Sequence, residues 1–295
     1  MKIHYMSDLH VDHFVFTAST PSRRQKQIDV YFELMGLNKI PEDERYMFII
    51  PGDLSNYNSV AKDVLLRLKQ LFKYVILVPG NHDRYLVSGE QAKKYKYFSQ
   101  NRIDELKKFC SDNDIIFLDG NIVEIDGKKF AGLSMFWDKF YYNKLEKREA
   151  SDAEVLNFYD NYMNDSKFIM DGHEPHKISL AYGGSYYNSS FNAIKFFKQE
   201  YEKLQNLRDY DNIDVMITHY VPTIPYGMKR EYAEERGTTF YMFDGEKDIE
   251  RISPAVWLFG HVHNKYNFIH KNVKFLCNPH GYPGETPYRV DWFEL

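Results

Sequence analysis

The chain has 295 residues, 43% of them hydrophobic and 27% charged, with 38 basic against 42 acidic residues and a formal charge of −4. That length suits one large α/β domain or two small ones. The composition excludes a disordered tail, a collagen-like repeat and a membrane bundle. Apolar runs such as Met47–Ile50 and Val75–Val78 are far too short to span a bilayer. The opening residues have no signal-peptide core, because Ser7 and Asp8 interrupt it. Two cysteines, Cys110 and Cys277, exclude a disulfide scaffold or a Cys-based zinc site. A cytoplasmic protein without membrane association is expected. The slight acidity weighs against a protein that tracks nucleic acid through a basic surface.

In chain order, Lys2–Met6 reads as a strand. Val60, Val64, Leu68 and Leu71 have helical spacing between the apolar runs Tyr46–Ile50 and Tyr74–Val78. Thr20–Lys26, in the long stretch between Asp8 and Asp53, is expected to be a mobile basic loop near the site. Ile103, Leu106 and Cys110 predict a further helix before Ile115–Leu118. Strands alternating with helices point to a mainly parallel sheet in a layered α/β domain. Ile122–Ile125 and Lys129–Trp137 then form a hairpin through Asp126-Gly127. Residues 138–213 lack strong strand signals. Helical spacing at Val155, Phe158, Tyr159, Tyr162 and at Ile194, Phe197, Tyr201, Leu204 predicts a helical insertion or cap within a single domain over 1–295, with Gly183-Gly184 as the loop between helices. Strand patterns return at Val215–Thr218, Val256–Phe259, Tyr266–His270, Val273–Cys277 and Tyr288–Phe293.

Five of these apolar runs lead into metal-competent side chains: Asp8 and His10, then Asp53, then Asn81-His82-Asp83, then His219, then His261 and His263. Each cluster lies at the carboxyl end of a predicted strand. In an open α/β sheet those ends converge on one crevice where ligands bind. Five of the 11 histidines fall there. Burying so many ionisable groups together is costly unless a cation compensates.

The ordered series Asp8-x-His10, Gly52-Asp53, Gly80-Asn81-His82-Asp83, His219 and Gly260-His261-x-His263 resembles the motif set of the calcineurin-like metallophosphoesterases. The later run Asn278-Pro279-His280-Gly281-Tyr282 resembles a terminal element of bacterial members, which often have Arg where His280 stands. The resemblance implies an αββα sandwich of two sheets, with a dinuclear metal centre at the strand ends. It implies that Asp8, His10 and His263 hold one metal, that Asp53 bridges, and that Asn81, His219 and His261 complete the second site. Two divalent transition metals, Mn²⁺ foremost with Fe²⁺ or Zn²⁺ also suited, fit imidazole and oxygen donors without thiolate. Held roughly 3.5–4 Å apart, such a pair activates a water for in-line attack on phosphorus. His82 is implied as general acid at the leaving oxygen. Many relatives carry an acidic residue three positions after the bridging Asp to orient this histidine. Here that position is Asn56, which leaves either Asp83 in the role or a less polarised His82. The stretch after Asp53 also lacks the Asp-Arg-Gly ending of Ser/Thr phosphoprotein phosphatases.

The expected substrate is a small phosphomonoester or phosphodiester, a nucleotide among the candidates. A nuclease acting on single-stranded nucleic acid and a non-catalytic scaffold are the alternatives. Tyr141, Tyr142, Tyr182, Tyr186 and Tyr187, near Lys139, Lys144, Lys147 and Arg148, could stack a base and hold a phosphate, although packing of the cap onto the body is the simpler role. His4 and His13 read as structural and exposed, respectively. His173-Glu174-Pro175-His176 falls short of metalloprotease spacing.

Overall fold

Apolar strands alternating with amphipathic helices form four layers in the computed structural model, which describes the chain except residues 17–19, 180–184, 190, 208, 211 and 286–288. The first sheet contains the parallel strands β1 (Lys2–Tyr5), β2 (Met47–Pro51), β3 (Tyr74–Val78) and β4 (Ile116–Phe117), with β13 (Asp291–Glu294) antiparallel to β1 at the edge. The second contains β5 (Asn121–Ile125), β6 (Lys128–Leu133), β9 (Val215–Thr218), β10 (Val256–Leu258), β11 (Tyr266–His270) and β12 (Val273–Cys277). Its order is β11-β12-β10-β9-β6-β5, with β6, β9, β10 and β12 parallel. A separate hairpin pairs β7 (His176–Ser179) with β8 (Ser185–Asn188).

Period-2 alternation explains how two sheets share one interior. Ile3, Tyr5, Met47, Ile49, Ile76 and Val78 face the second sheet, where they meet Phe130, Val215, Ile217, Val256 and Leu258. Their neighbours Phe48, Ile50, Val75 and Leu77 face outward. There they are covered by α1 (Pro21–Met35), α2 (Asn58–Leu71) and α4 (Ser99–Asp112), through Ile28, Phe32, Val60, Val64, Leu68, Ile103 and Leu106. Strands buried on both faces read as unbroken apolar runs, which is the pattern the sequence carries. A short helix, α3 (Gly89–Lys94), precedes α4. The outer face of the second sheet, including Leu133, Met216, Trp257 and Phe275, packs against α5 (Phe140–Glu146), α6 (Asp152–Tyr162), α8 (Ala193–Leu207) and α10 (Glu246–Ile252). Two single-turn helices, α7 (Asp165–Phe168) and α9 (Arg230–Ala233), complete the set.

The β5–β6 turn has Asp126 and Gly127 both at positive φ, 49° and 76°, as a tight hairpin requires. Three expectations change. The stretch Thr20–Lys26 is not a loop: Pro21 opens α1, its fixed φ suiting a first helical position, and Arg24 Nε bonds Asp63 Oδ2 at 2.7 Å. The segment 138–213 is not purely helical, since β7 and β8 lie within it; Tyr182, Gly183 and Gly184 are outside the described residues. The second strand of the 120s hairpin stops at Leu133, so that Ser134–Trp137 leave the sheet. No helix among the described residues is long and apolar enough to cross a membrane.

One buried cation ties together the loops that leave β2 and β3. Arg102 of α4, fully buried, donates to the carbonyls of His82 (2.7 Å), Tyr85 (2.9 Å) and Ser55, and to Asn58 Oδ1 (3.0 Å). Arg102→Met removes these donors and strands buried acceptors. It should cost about 3 kcal/mol of stability, read as a lower urea midpoint with an unchanged m-value.

Candidate metal centre

The clusters predicted from sequence meet at one rim. Asp8 and His10 follow β1, Asp53 follows β2, Asn81 to Asp83 follow β3, His219 follows β9, and His261 and His263 follow β10. The loops between strand and side chain take unusual backbone. Asp8, His10, Asp53 and His261 all have positive φ, at 52°, 42°, 57° and 66°. Non-glycine residues rarely sit there, and such positions store about 1–3 kcal/mol each when the surroundings hold them. Glycines admit the close approach. At Gly52, with φ +86°, a Cβ would lie 2.2 Å from His219 Nδ1, and at Gly80 it would lie 2.1 Å from Asp53 Oδ1.

Three overlapping groups of donors have ligand atoms within 4.8 Å of one another: Asp8, His10 and His263; His10, Asp53 and His82; Asp53, His219 and His261. Asp53 points one oxygen each way, with Oδ2 3.8 Å from His10 Nε2 and Oδ1 3.3 Å from His219 Nε2. His10 Nε2 stands 3.2 Å from His263 Nε2, which is 3.8 Å from Asp8 Oδ1. Asn81 turns its Oδ1 toward His219 Nε2 at 2.9 Å. The far ring nitrogens are fixed. His219 Nδ1 bonds Pro51 O at 2.9 Å, His261 Nε2 bonds Phe240 O at 3.2 Å, and His263 Nδ1 bonds Glu285 Oε2 at 2.7 Å. Such outer contacts fix ring orientation at metal sites.

The electrostatics suit a cation. Burial holds His10 and His261 well below the ordinary imidazole range, leaving neutral rings with lone pairs to give. Burial pushes Asp8 up to about 6 against the pull of His219 and His263. Burial also works against charge on Asp53 and His219, but each outweighs it for the other: Asp53 is held well below the carboxylate range, and His219 is raised to about 9. Asp8 Oδ2 is buried with no hydrogen-bond partner. Two carboxylates, an amide oxygen and imidazoles, those of His10 and His261 neutral, with one carboxylate oxygen orphaned, match the needs of divalent transition metals.

Around this centre, the partner of His82 proves to be Asn56. His82 Nδ1 lies 3.0 Å from Asn56 Oδ1, and the Asn56 amide nitrogen donates to Asp12 Oδ2 at 2.9 Å, which sets the amide's direction. Nδ1 of His82 therefore carries the hydrogen, and Nε2 faces the Tyr282 hydroxyl at 3.1 Å. Asp83, the other candidate, is turned away. Its carboxylate accepts the backbone N–H groups of Asp53 (3.0 Å), Ser55 (3.2 Å) and Gly80 (2.9 Å), binding the β2 and β3 loops to each other. The hydrogen bonds of the Asp83 carboxylate are thus made to the loop backbone and not to the His82 ring.

Several residues went unnoticed in the sequence. Asp165, fully buried in α7, accepts the Asn81 side-chain N–H at 2.8 Å and also the hydroxyls of Tyr85 and Tyr220. It lies in the 138–213 segment, far from Asn81 in sequence and without a motif to mark it. Tyr282 stacks on His10, rings 4.3 Å apart, and its N–H donates to Glu285; the Asn278–Tyr282 run was the available signal. His280 itself is buried between Phe14 and Tyr31. His13 is exposed, its ring edge-on to Tyr282, and His173 and His176 are exposed as well. Tyr141 and Tyr142 pack in the core, with hydroxyls on Ala233 O and Glu154, while Lys139 and Arg148 are engaged by Asp152 and Glu154. The cavity beside the donors, about 530 Å³, is walled by other tyrosines: Tyr85, Tyr162, Tyr232, Tyr241, Tyr266 and Tyr282.

Two substitutions away from the donors themselves should disturb the centre. Gly52→Ala drives a methyl into the His219 ring and strains the turn; bound metal, measured by atomic emission after dialysis, should fall to under about half of wild type. Asp165→Leu frees the Asn81 amide to rotate and should weaken metal affinity about 10–100-fold at one site, with the other retained, in a competition titration.

The comparisons with known proteins agree with this architecture. The model of the calcineurin-like phosphoesterase family matches residues 1–265. An uncharacterized protein of Acanthamoeba polyphaga mimivirus is 22% identical over 295 residues, covering 96% of this chain and 92% of its own. A poly(glycerol-phosphate) alpha-glucosyltransferase of Bacillus subtilis is 24% identical over 239 residues, 75% of this chain but only 31% of that protein. Among solved structures, a phosphopantetheinyl hydrolase from Mycobacterium tuberculosis superposes with a TM-score of 0.69 at 14% identity, over 99% of this chain and 95% of its own. At that identity the likeness speaks for the two-sheet fold alone. With a family match reaching from the first strand past His263, and with the motif residues converging on one rim, the chain belongs to the calcineurin-like phosphoesterases.

Proposed function

We propose that this protein is a dinuclear metal-dependent phosphoesterase that hydrolyses a small phosphorylated substrate. The observation that carries the reading is the chain of donor groups that share members, His10 linking the first to the second and Asp53 the second to the third. In this reading Asp8, His10 and His263 hold one ion, Asn81, His219 and His261 hold the other, and Asp53 bridges them. Mn²⁺ is our first choice of metal, with Fe²⁺ and Zn²⁺ also compatible with mixed nitrogen and oxygen donors. When bound, two such ions supply Lewis acidity toward phosphate oxygens and make water a nucleophile near neutral pH.

The chain's own residues supply the rest. The backbone N–H of His82 donates to Asp53 Oδ1 at 2.9 Å, which ties its loop to that carboxylate, and its ring stands beside His10 and Asp53. Asn56 keeps the hydrogen on Nδ1, so Nε2 is the atom offered toward the cavity. Burial lowers His82 to about 4, with Asp53 pulling the other way, so it is neutral at pH 7 in the free protein. An arriving phosphate anion favours the protonated ring, which can then give its Nε2 proton to the leaving oxygen. Glu285 holds His263, and Asp83 and Arg102 hold the loops, so that these atoms keep their places. We further propose a single domain over 1–295, with 138–213 as a cap that shapes one side of the cleft. A scaffold that kept the fold without the chemistry is the rival, and the complete donor set argues against it.

With purified protein loaded with Mn²⁺, nitrophenyl phosphate and bis(nitrophenyl) phosphate separate these readings. Asp53→Asn should lower turnover by at least about 10³-fold. His82→Ala should lower it by about 10²–10⁴-fold with metal content unchanged. Wild-type turnover by the Asp53 variant at full metal content would overturn the assignment. Correct metal loading without hydrolysis of either ester would favour the scaffold.

A further inference from the structure

We infer that the cavity beside the donor cluster receives the flat, uncharged organic group of a phosphate ester bearing a single phosphoryl group, with Tyr162 as its stacking platform. This rests on the phosphoesterase reading above. Tyr162 ends α6, in the segment furthest from the strand-end motifs, yet it lines the cavity with 42% of its surface exposed. An exposed tyrosine is ordinarily free to swing, but this one is held on several sides. Its hydroxyl donates to Glu235 Oε1 at 3.0 Å, and its ring lies 5.5 Å from Phe158, tilted by 31°, and 5.9 Å from Phe240. It also rests on Gly237, where a Cβ would fall 2.2 Å from the tyrosine Cζ. The absence of a side chain at Gly237 is what lets the ring lie there. An immobilised aromatic ring offers contact area at low entropic cost, since little freedom remains to be lost on binding.

The remaining walls continue the same chemistry. Met228 and Tyr232 line the cavity, and Tyr241 extends the aromatic surface to the donors, its ring 4.8 Å from that of His261. The cavity's fixed charges outside the donor cluster are the carboxylates of Glu235 and Glu285, and no Lys or Arg lines it among the described residues. The neighbouring cations are not part of the lining: Lys265 bonds Asp291 at 2.6 Å, and Lys229 sits over the Tyr232 ring, 5.8 Å from its centroid. Arg236 bonds Glu146 at 2.6 Å, and Lys229 also lies 3.7 Å from Glu231. Proteins that bind polyphosphates or nucleic acid neutralise each added phosphate with cationic side chains. Here a second phosphate beyond the one at the donors would meet the carboxylates of Glu235 and Glu285, with no cation among the described lining residues. A flat neutral group with a hydrogen-bond donor would meet tyrosine faces, methionine sulfurs and the Glu235 acceptor. The same charge pattern opposes the single-stranded nucleic acid considered from the sequence.

Adenosine, uncharged and with a flat base, is the probe, titrated by calorimetry into the metal-free protein so that neither activity nor metal enters the readout. Adenosine should bind, and adenosine triphosphate should bind at least tenfold more weakly. Tyr162→Ala should weaken adenosine about ten- to hundredfold, the worth of one stacked base. Gly237→Ala, which keeps every tyrosine but displaces the ring, should weaken it similarly, while Tyr162→Phe should retain affinity within about threefold. The inference is overturned if wild type does not bind adenosine, if Tyr162→Ala binds it equally, or if the triphosphate binds more tightly. Intact adenosine binding by a metal-loaded protein that hydrolyses no ester would overturn the phosphoesterase reading and leave the platform standing.

Discussion

The centre of this structure is the confinement of two carboxylates, Asp8 and Asp53, among buried imidazoles. Charges of that kind are costly to remove from water, and protons alone satisfy them poorly: His219 and Asp53 form one mutual pair, while burial raises Asp8 and leaves one of its oxygens without a partner. The rest of the architecture serves to hold this arrangement against its own repulsion. Parallel strands from both sheets end at the same rim, and left-handed turns at Asp8, His10, Asp53 and His261 aim the side chains inward. The cost of those turns is borne by the two-sided burial of the strands behind them.

A second tier of polar groups makes the geometry stiff. Asp83 gathers backbone donors from two loops, Arg102 gathers their carbonyls, and the two lie close enough for their opposite charges to act on each other. Asp165 sets the sense of the Asn81 amide, and the Asp12–Asn56 pair sets the tautomer of His82. These groups act by hydrogen bonds of fixed polarity, so each has one acceptable direction. The segment 138–213 thereby does more than cover the second sheet: through Asp165 it reaches the proposed metal ligands, and through Tyr162 it reaches the cavity.

Much of this was legible from the chain alone. Strand patterns are strong where both faces are buried, and Gly52-Asp53 or Gly80-Asn81-His82 stand out because turn residues and metal-competent residues coincide at strand ends. Asp83 was visible but its direction was not, since a carboxylate beside a histidine in sequence can turn either toward the ring or toward the backbone. Thr20–Lys26 misled for a related reason. A basic, polar stretch resembles a loop until its later apolar positions, Ile28, Tyr31 and Phe32, are seen to be buried on the α1 face that joins α2 in one core.

The sequence by itself determined the layered alternation, the strand-end clusters and the family they resemble, because these depend on periodicity and on local order along the chain. The tertiary structure alone decided that Asn56 and not Asp83 faces His82, that Asp165 holds Asn81, and that tyrosines outside the expected set wall the cavity. Those choices depend on distances between residues tens to hundreds of positions apart, and on side-chain direction, neither of which is encoded in any local pattern.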